Sequence, residues 1–400
     1  MTAWLSIIGI GEDGIEGVAP MLRGLIERAE LIVGGDRHLA MLPDIPARKI
    51  TWASPLRLTV DEVLGWRGKP VVVLATGDPM HYGIGVTFAK HVGRDEIAIY
   101  PHLSAFTLAA ARLVWPLSEV ECLTLHGRPP ELLAAAVAPD HRLMILSNDG
   151  QTPAEVARRL TALGYGDSDV IVLEHMGGPR ERIVTGKAAE WQDQSIADFN
   201  TVAVRCKAGP GTRLLHRGFG LPDDAFLHDG KLTKREVRAA TLAALQPMPG
   251  QLLWDVGAGS GSVAIEWLRQ HRTANAIAIE SDPERQRVIE QNALNLGVPQ
   301  LKLIAGRAPE IFAGLKQPDA IFIGGGLSEA GLVEAAWGAL KPGGRLVANA
   351  VTLEGEATLL AAWQKLGGEL TRIAVSRAAP IGPYHGWKPL MPITQWSIHR

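Results

Sequence analysis

The strongest chemical signal in this sequence is Leu253-Trp254-Asp255-Val256-Gly257-Ala258-Gly259-Ser260-Gly261-Ser262, an apolar run that feeds a glycine turn and opens a helix. Bare backbone at such a turn lets a cofactor lie against the chain. A dinucleotide site wants G-x-G-x-x-G, with the third glycine for helix packing and the helix N-terminus facing a pyrophosphate. Here the spacing is G-x-G-x-G, with Asp255 two residues ahead of the first glycine. S-adenosylmethionine carries an ammonium, a carboxylate and a sulfonium but no phosphate, so an acidic group near the loop suits it. The next apolar run ends in Ala278-Ile279-Glu280-Ser281-Asp282, and Glu280 at that tip can accept hydrogen bonds from both hydroxyls of a ribose. Loop and acid in register favour S-adenosylmethionine; a nicotinamide dinucleotide fits the spacing less well.

Three more loops follow apolar runs near the N-terminus. Gly9-Ile10-Gly11-Glu12-Asp13-Gly14 formally matches G-x-G-x-x-G, but the next run, Leu31-Ile32-Val33, ends in Gly34-Gly35-Asp36 with no acid at its tip. Ala75-Thr76-Gly77-Asp78-Pro79-Met80 presents Asp78 rigidly between glycine and proline, and Pro101-His102-Leu103-Ser104-Ala105-Phe106 follows Ile97–Tyr100. Three strand-end loops of this kind can converge on the crevice that an open α/β sheet offers a ligand. Ser104 is expected to hydrogen-bond a cofactor or its own turn, since no Ser–His–Asp pattern surrounds it. His102 and His126 are candidates for carboxylate binding or proton handling. Neither the histidines nor Cys122 and Cys206 show metal-ligand spacing, so no metal is expected. No catalytic residue stands out.

These loops must be held by regular elements. Short unbroken apolar runs ending in glycine suit parallel strands buried on both faces. Helical patterns lie between them at Ala19–Ala29, Pro153–Leu163, Ser262–Gln270, Pro283–Leu296 and Glu329–Leu340, which makes the chain α/β. In the C-terminal half, strands are predicted near 251–257, 274–280, 301–306, 318–324 and 344–351, each followed by a helix. Leu370–Val375 and Pro392–Ile398 then close a doubly wound, mostly parallel sheet with an antiparallel edge. A glycine- and proline-rich stretch without periodicity falls between Lys207 and Lys231 and reads as a linker. The predicted division is 1–208, a linker at 209–222, and 223–400.

Composition sets outer limits. At 400 residues and 46% hydrophobic, the chain can bury two cores. A net charge of −2 argues against a nucleic-acid-coating protein. Two cysteines exclude a disulfide framework, and the apolar runs are shorter than the ~18 residues of a membrane span. The N-terminus lacks the charged start of a secretory signal. A cytoplasmic protein is expected, without nucleic acid or membrane as partner, and as a homo-oligomer.

The segments DVGAGSGS, AIESD and PGGRLVANAV resemble class I methyltransferases. Leu232–Arg238, Gly306-Arg307-Ala308-Pro309-Glu310 and Ile323-Gly324-Gly325-Gly326 are similar, more narrowly, to the decarboxylating methyltransferases of corrin biosynthesis, over about 221–400. That resemblance implies a Rossmann-like domain with Thr233, Asp255, Gly257, Ala258, Gly259, Ser260, Gly261, Glu280 and Ala308 around S-adenosylmethionine. The N-terminal loops, with Glu174-His175-Met176-Gly177-Gly178-Pro179-Arg180-Glu181-Arg182-Ile183, resemble the bilobal tetrapyrrole (class III) methyltransferases over about 1–206. Leu125-His126-Gly127-Arg128-Pro129 is similar to the subgroup acting on carbon 5. This second resemblance implies cofactor contacts from Gly9, Gly11, Gly77, Asp78, Pro79, Met80, Ser104 and Ala105.

The two halves together resemble the fused methyltransferases of cobalamin biosynthesis. The fusion implies two S-adenosylmethionine sites and an anionic tetrapyrrole substrate, precorrin-6Y. It implies methylation at carbons 5 and 15 and loss of CO2 from the acetate on carbon 12, giving precorrin-8. Carbon 5 falls to the N-terminal half; carbon 15 and the decarboxylation fall to the C-terminal half. Substrate carboxylates call for basic groups, with His102, His126, Arg128, Arg235, Arg238, Arg377 and Lys388 as candidates. The rival readings are a class I methyltransferase acting on RNA or protein with an N-terminal targeting module, a two-domain dinucleotide oxidoreductase, and a non-catalytic scaffold.

Overall fold

The computed structural model describes residues 3–192 and 194–400. The chain divides into two units: the chain through Arg128 with Val137–Thr212, and Pro129–Ala136 with Arg213–Arg400.

In the first unit, β1 (Leu5–Ile10), β2 (Leu31–Val33), β3 (Arg48–Ile50), β4 (Val71–Thr76) and β5 (Ile97–Tyr100) form a parallel sheet in the order β3-β2-β4-β1-β5. Leu5 and Ile7 pack with Val33, Val71 and Val73 on one face, joined by Val60 and Val63 of the helix Arg57–Leu64. Ile8 and Ile10 pack with Ile32, Val72 and Leu74 on the other, joined by Ile26 of the helix Pro20–Glu27. Cover on both faces is why these strands read as unbroken apolar runs. Because β4, β1 and β5 are parallel neighbours, the loops that follow them leave one edge of the sheet side by side.

The second sheet of this unit contains β6 (Val120–Thr124), β7 (Arg142–Leu146), β8 (Asp169–Glu174), β9 (Arg182–Lys187) and β10 (Asn200–Arg205), in the order β6-β7-β10-β8-β9. Only β6 and β7 pair in parallel. The strand–helix alternation expected of the whole chain therefore fails here. Strands β8 to β10 succeed one another without an α-helix between them, and the sheet is largely antiparallel.

The second unit holds β11 (Leu252–Val256), β12 (Asn275–Glu280), β13 (Lys302–Ala305), β14 (Ala320–Ile323), β15 (Arg345–Ala350), β16 (Glu369–Ile373), β17 (Ser376–Ile381), β18 (Tyr384–Pro389) and β19 (Ile393–His399). Its main sheet runs β13-β12-β11-β14-β15-β19-β16, five parallel strands followed by the antiparallel β19, with β16 at the edge. Three details differ from the sequence reading. Only a 3-10 turn, Glu310–Phe312, follows β13. The helix after β14 begins at Leu332, because Gly331 takes a left-handed conformation at its N-cap. A separate hairpin, β17 with β18, occupies the stretch between the two closing strands.

The glycine-rich segment after Thr212 is built into the second unit's core. Leu221 and Phe226 are buried with Leu242, Leu253 and Trp267. The backbone N–H groups of Gly220 and Leu221 donate to Glu266 at 2.7 and 2.9 Å, and Nε of Arg238 donates to the same carboxylate at 2.6 Å. Arg238 also donates to the carbonyls of Thr233 and Leu221, so every polar group here is paired. Removing one member strands a buried charge, so Glu266→Ala should cost about 3–5 kcal/mol of the second unit's stability in chemical denaturation. Replacing Glu266 and Arg238 together by Leu and Met should cost less than either single change.

Candidate active site

In the first unit the three N-terminal loops meet backbone to backbone. The N–H of Gly77 donates to the carbonyl of Ile10, and the N–H of His102 donates to the carbonyl of Gly77, each at 3.1 Å. A Cβ on Gly9 would lie 2.0 Å from the Gly77 carbonyl oxygen and 2.5 Å from the His102 nitrogen, so only glycine fits where these loops cross. Beside the crossing lies a cavity of about 720 Å³. Gly11, Gly77, Asp78, Ser104, Ala105, His126 and Arg128 line it. Gly9 supports the loops from behind. Asp78 accepts from the N–H of Met80 at 2.8 Å, which fixes its own turn, while Met80 is half exposed. Ser104 caps the following helix by accepting from the N–H of Thr107 at 3.1 Å. The ring of His102 packs against Gly11, with Nε2 3.5 Å from the Asp13 carboxylate.

One wall of the cavity is aromatic. His81 stacks on Tyr82 with centroids 5.1 Å apart and lies 4.7 Å from Phe106. The guanidinium of Arg128 sits 5.6 Å from the Tyr82 ring. Another wall is charged. Glu12 is buried, pairs with Arg37, and lies 2.8 Å from Nδ1 of His175. Arg37 stacks 3.8 Å over the Phe199 ring and donates to Thr76 Oγ1 at 3.0 Å. Burial, reinforced by the charge of Arg37, pushes the neighbouring His38 down to about 4, so it is neutral at physiological pH.

In the second unit the glycine turn leaves β11 beside the loop after β14. A Cβ on Gly257, whose φ is +67°, would lie 2.9 Å from Cα of Gly325. Glu280, buried at the tip of β12, accepts from the N–H groups of Gly259 at 2.8 Å, Ser281 at 2.9 Å and Asp282 at 3.0 Å. Asn292 is fully buried and donates to the carbonyl of Ser260 at 2.9 Å, pinning the turn to the helix Pro283–Asn295. Asp255 accepts from the N–H of Ala264 at 3.0 Å through one oxygen; its other oxygen and the Ser260 hydroxyl are buried without a partner. Ala308 is buried in the same core, and Thr233 is half-buried. A bare turn, an acid held at the strand tip and orphaned buried oxygens fit a cofactor with a ribose and an ammonium.

The basic candidates divide. Arg235 is exposed beside Glu236, and Arg377 bridges Asp223 at 2.9 Å and Glu236 at 2.6 Å. The expectation that Arg238 meets substrate is corrected. Its side chain has no exposed surface, and its donors are consumed by Glu266, Thr233 and Leu221. Among the described residues no cluster of His, Cys, Asp and Glu is placed to hold a metal, and no helix is long and apolar enough to cross a membrane.

Residues 5–192 match the model of the tetrapyrrole (corrin/porphyrin) methylases, and residues 224–400 match that of the precorrin methyltransferase domain. Over 99% of its length the chain is 48% identical to the precorrin-6Y C(5,15)-methyltransferase [decarboxylating] of Sinorhizobium sp., covering 96% of that protein. The chain belongs to this family of decarboxylating precorrin-6Y methyltransferases. Two shorter relatives from Salmonella typhimurium each match under half of it. A cobalt-precorrin-7 C(5)-methyltransferase is 30% identical over 45% of the chain and 88% of its own length. A cobalt-precorrin-6B C(15)-methyltransferase (decarboxylating) is 33% identical over 43% of the chain and 92% of its own length.

For this member of the precorrin-6Y methyltransferase family, the sequence did not disclose the charged wall. Glu12, Arg37, Thr76, His175 and Phe199 are too far apart in the chain for spacing to join them. The available signals were that Glu12 sits within a glycine loop, Arg37 lies in the short helix Asp36–Ala40 directly after Gly34-Gly35, and His175 directly follows a strand. Asn292 gave no signal, being one polar residue on a polar helix.

Burial raises Asp255 from the usual carboxylate range to about 7. Its folded value therefore exceeds its unfolded one, and the folded state holds an extra proton between about 4 and about 7. Stability from this group falls as pH rises through that window. Asp255→Asn should raise the melting temperature of the cofactor-free protein by an amount that grows from pH 4 to pH 7 and then levels off. A gain independent of pH would contradict this reading of Asp255.

Proposed function

We propose that this chain methylates carbons 5 and 15 of precorrin-6Y and removes CO2 from the acetate on carbon 12, using one S-adenosylmethionine site in each unit. The observation that carries the reading is full-length similarity to a protein of that name, in a chain whose two units each hold a glycine cradle at the carboxyl ends of parallel strands. The shorter relatives support a division of labour, with carbon 5 in the first unit and carbon 15 with decarboxylation in the second.

S-adenosylmethionine, when bound, supplies an electrophilic methyl group on a sulfonium. In the second unit Glu280 and the Gly257–Gly261 turn would hold it, with the free oxygen of Asp255 toward its ammonium. In the first unit the Gly11, Gly77 and Ser104–Ala105 loops would do so. A reduced meso carbon is an enamine-like nucleophile, so the protein's task is positioning, which can contribute up to ~7–11 kcal/mol. The rings of His81, Tyr82 and Phe106 offer a flat macrocycle a face to lie on, while His126 and Arg128 offer charge to its carboxylates. In the decarboxylation the pair from the breaking C–CO2 bond passes into the conjugated ring, and a proton is then added to the former acetate carbon, which becomes a methyl group.

A mass spectrum of product made from precorrin-6Y and S-adenosylmethionine tests this. Two added methyl groups and one lost CO2 are expected. A product with one methyl, or one that retains the carboxyl, would sink the bifunctional reading.

A further inference from the structure

We infer that His175, held by Glu12, is the proton acceptor for methyl transfer in the first unit; this rests on the function proposed above. The chemistry gives such a group a task. When a π pair on the meso carbon attacks the methyl, the new C–CH3 bond forms as the S–CH3 bond breaks, and the sulfonium's positive charge passes to the macrocycle. Neutrality returns only when one proton leaves a ring N–H or the methylated carbon, its bonding pair staying with the ring. A base at the cavity takes that proton in competition with water and the substrate's own carboxylates.

Two observations point to His175 among the groups that line the cavity. It lines the cavity, and its side chain is 11% exposed. Its Nδ1 lies 2.8 Å from Oε2 of Glu12, a carboxylate otherwise engaged with Arg37 and 3.8 Å from Arg180. Donation from Nδ1 to that carboxylate fixes the tautomer and leaves the Nε2 lone pair to accept a proton. His175 also holds a φ of +46°, which glycine adopts without strain. Glu12 acts through His175 and is a positioning residue.

The test uses His175→Gly, which removes the ring, relieves the backbone and leaves a space that free imidazole can enter. The assay is single-turnover methylation of the decarboxylated, C15-methylated tetrapyrrole, so the second unit's chemistry is not required. The variant should transfer the methyl group about 100-fold or more slowly than wild type, the scale of a lost general base. Added imidazole should restore much of the rate, and calorimetric binding of S-adenosylhomocysteine and the melting temperature should not fall. A rate close to wild type, or a slow rate that imidazole leaves unchanged, overturns the role of His175. Failure of the wild-type chain to methylate this substrate overturns the functional reading itself, and the two failures are distinct.

Discussion

Both candidate sites depend on places where a side chain cannot be accommodated. Parallel strands lie about 4.8 Å apart, so the loops leaving neighbouring strands must pass within van der Waals contact of one another. At Gly9 an added Cβ would meet the Gly77 carbonyl, and at Gly257 it would meet the backbone of Gly325. Without these close approaches the loops would splay, and the crevices at the strand ends would lose their floors. Two different sheets, β3-β2-β4-β1-β5 and β13-β12-β11-β14-β15-β19-β16, meet this one steric demand. Each does so where the strand order places non-consecutive strands side by side.

Charge is handled locally. With a net charge of −2 the chain offers no general attraction for an anion, and its positive charge acts locally, as with Arg128 at the cavity. Buried charges serve different ends in the two units. Arg238 and Glu266 pair with each other and with backbone, and they hold the entering segment in the core. Glu12 is shared between Arg37 and His175, which line the cavity of the first unit.

Much of this was legible in the sequence where burial is two-sided. The runs around Leu5–Ile10, Val71–Thr76 and Leu252–Val256 announce central parallel strands because both faces demand apolar side chains, and the glycines that end them announce the loops. The second lobe of the first unit was less legible, since β9 is half-exposed and shows no such run. The β17–β18 hairpin escaped because its strands carry glycine, proline and exposed aromatic residues and no regular alternation. Arg238 misled because an arginine on a helix usually marks the surface, and its partner Glu266 lies 28 residues away. The charged wall of the cavity was illegible because its contacts join residues up to 163 positions apart.

Titration calorimetry of the whole chain with S-adenosylhomocysteine measures whether each glycine crossing supports a cofactor cradle of its own. The wild type should bind about two equivalents per chain, and Gly9→Val and Gly257→Val one each, with the surviving site unchanged in affinity. A wild-type stoichiometry of one, or the loss of both sites on blocking either crossing, would contradict separate cradles.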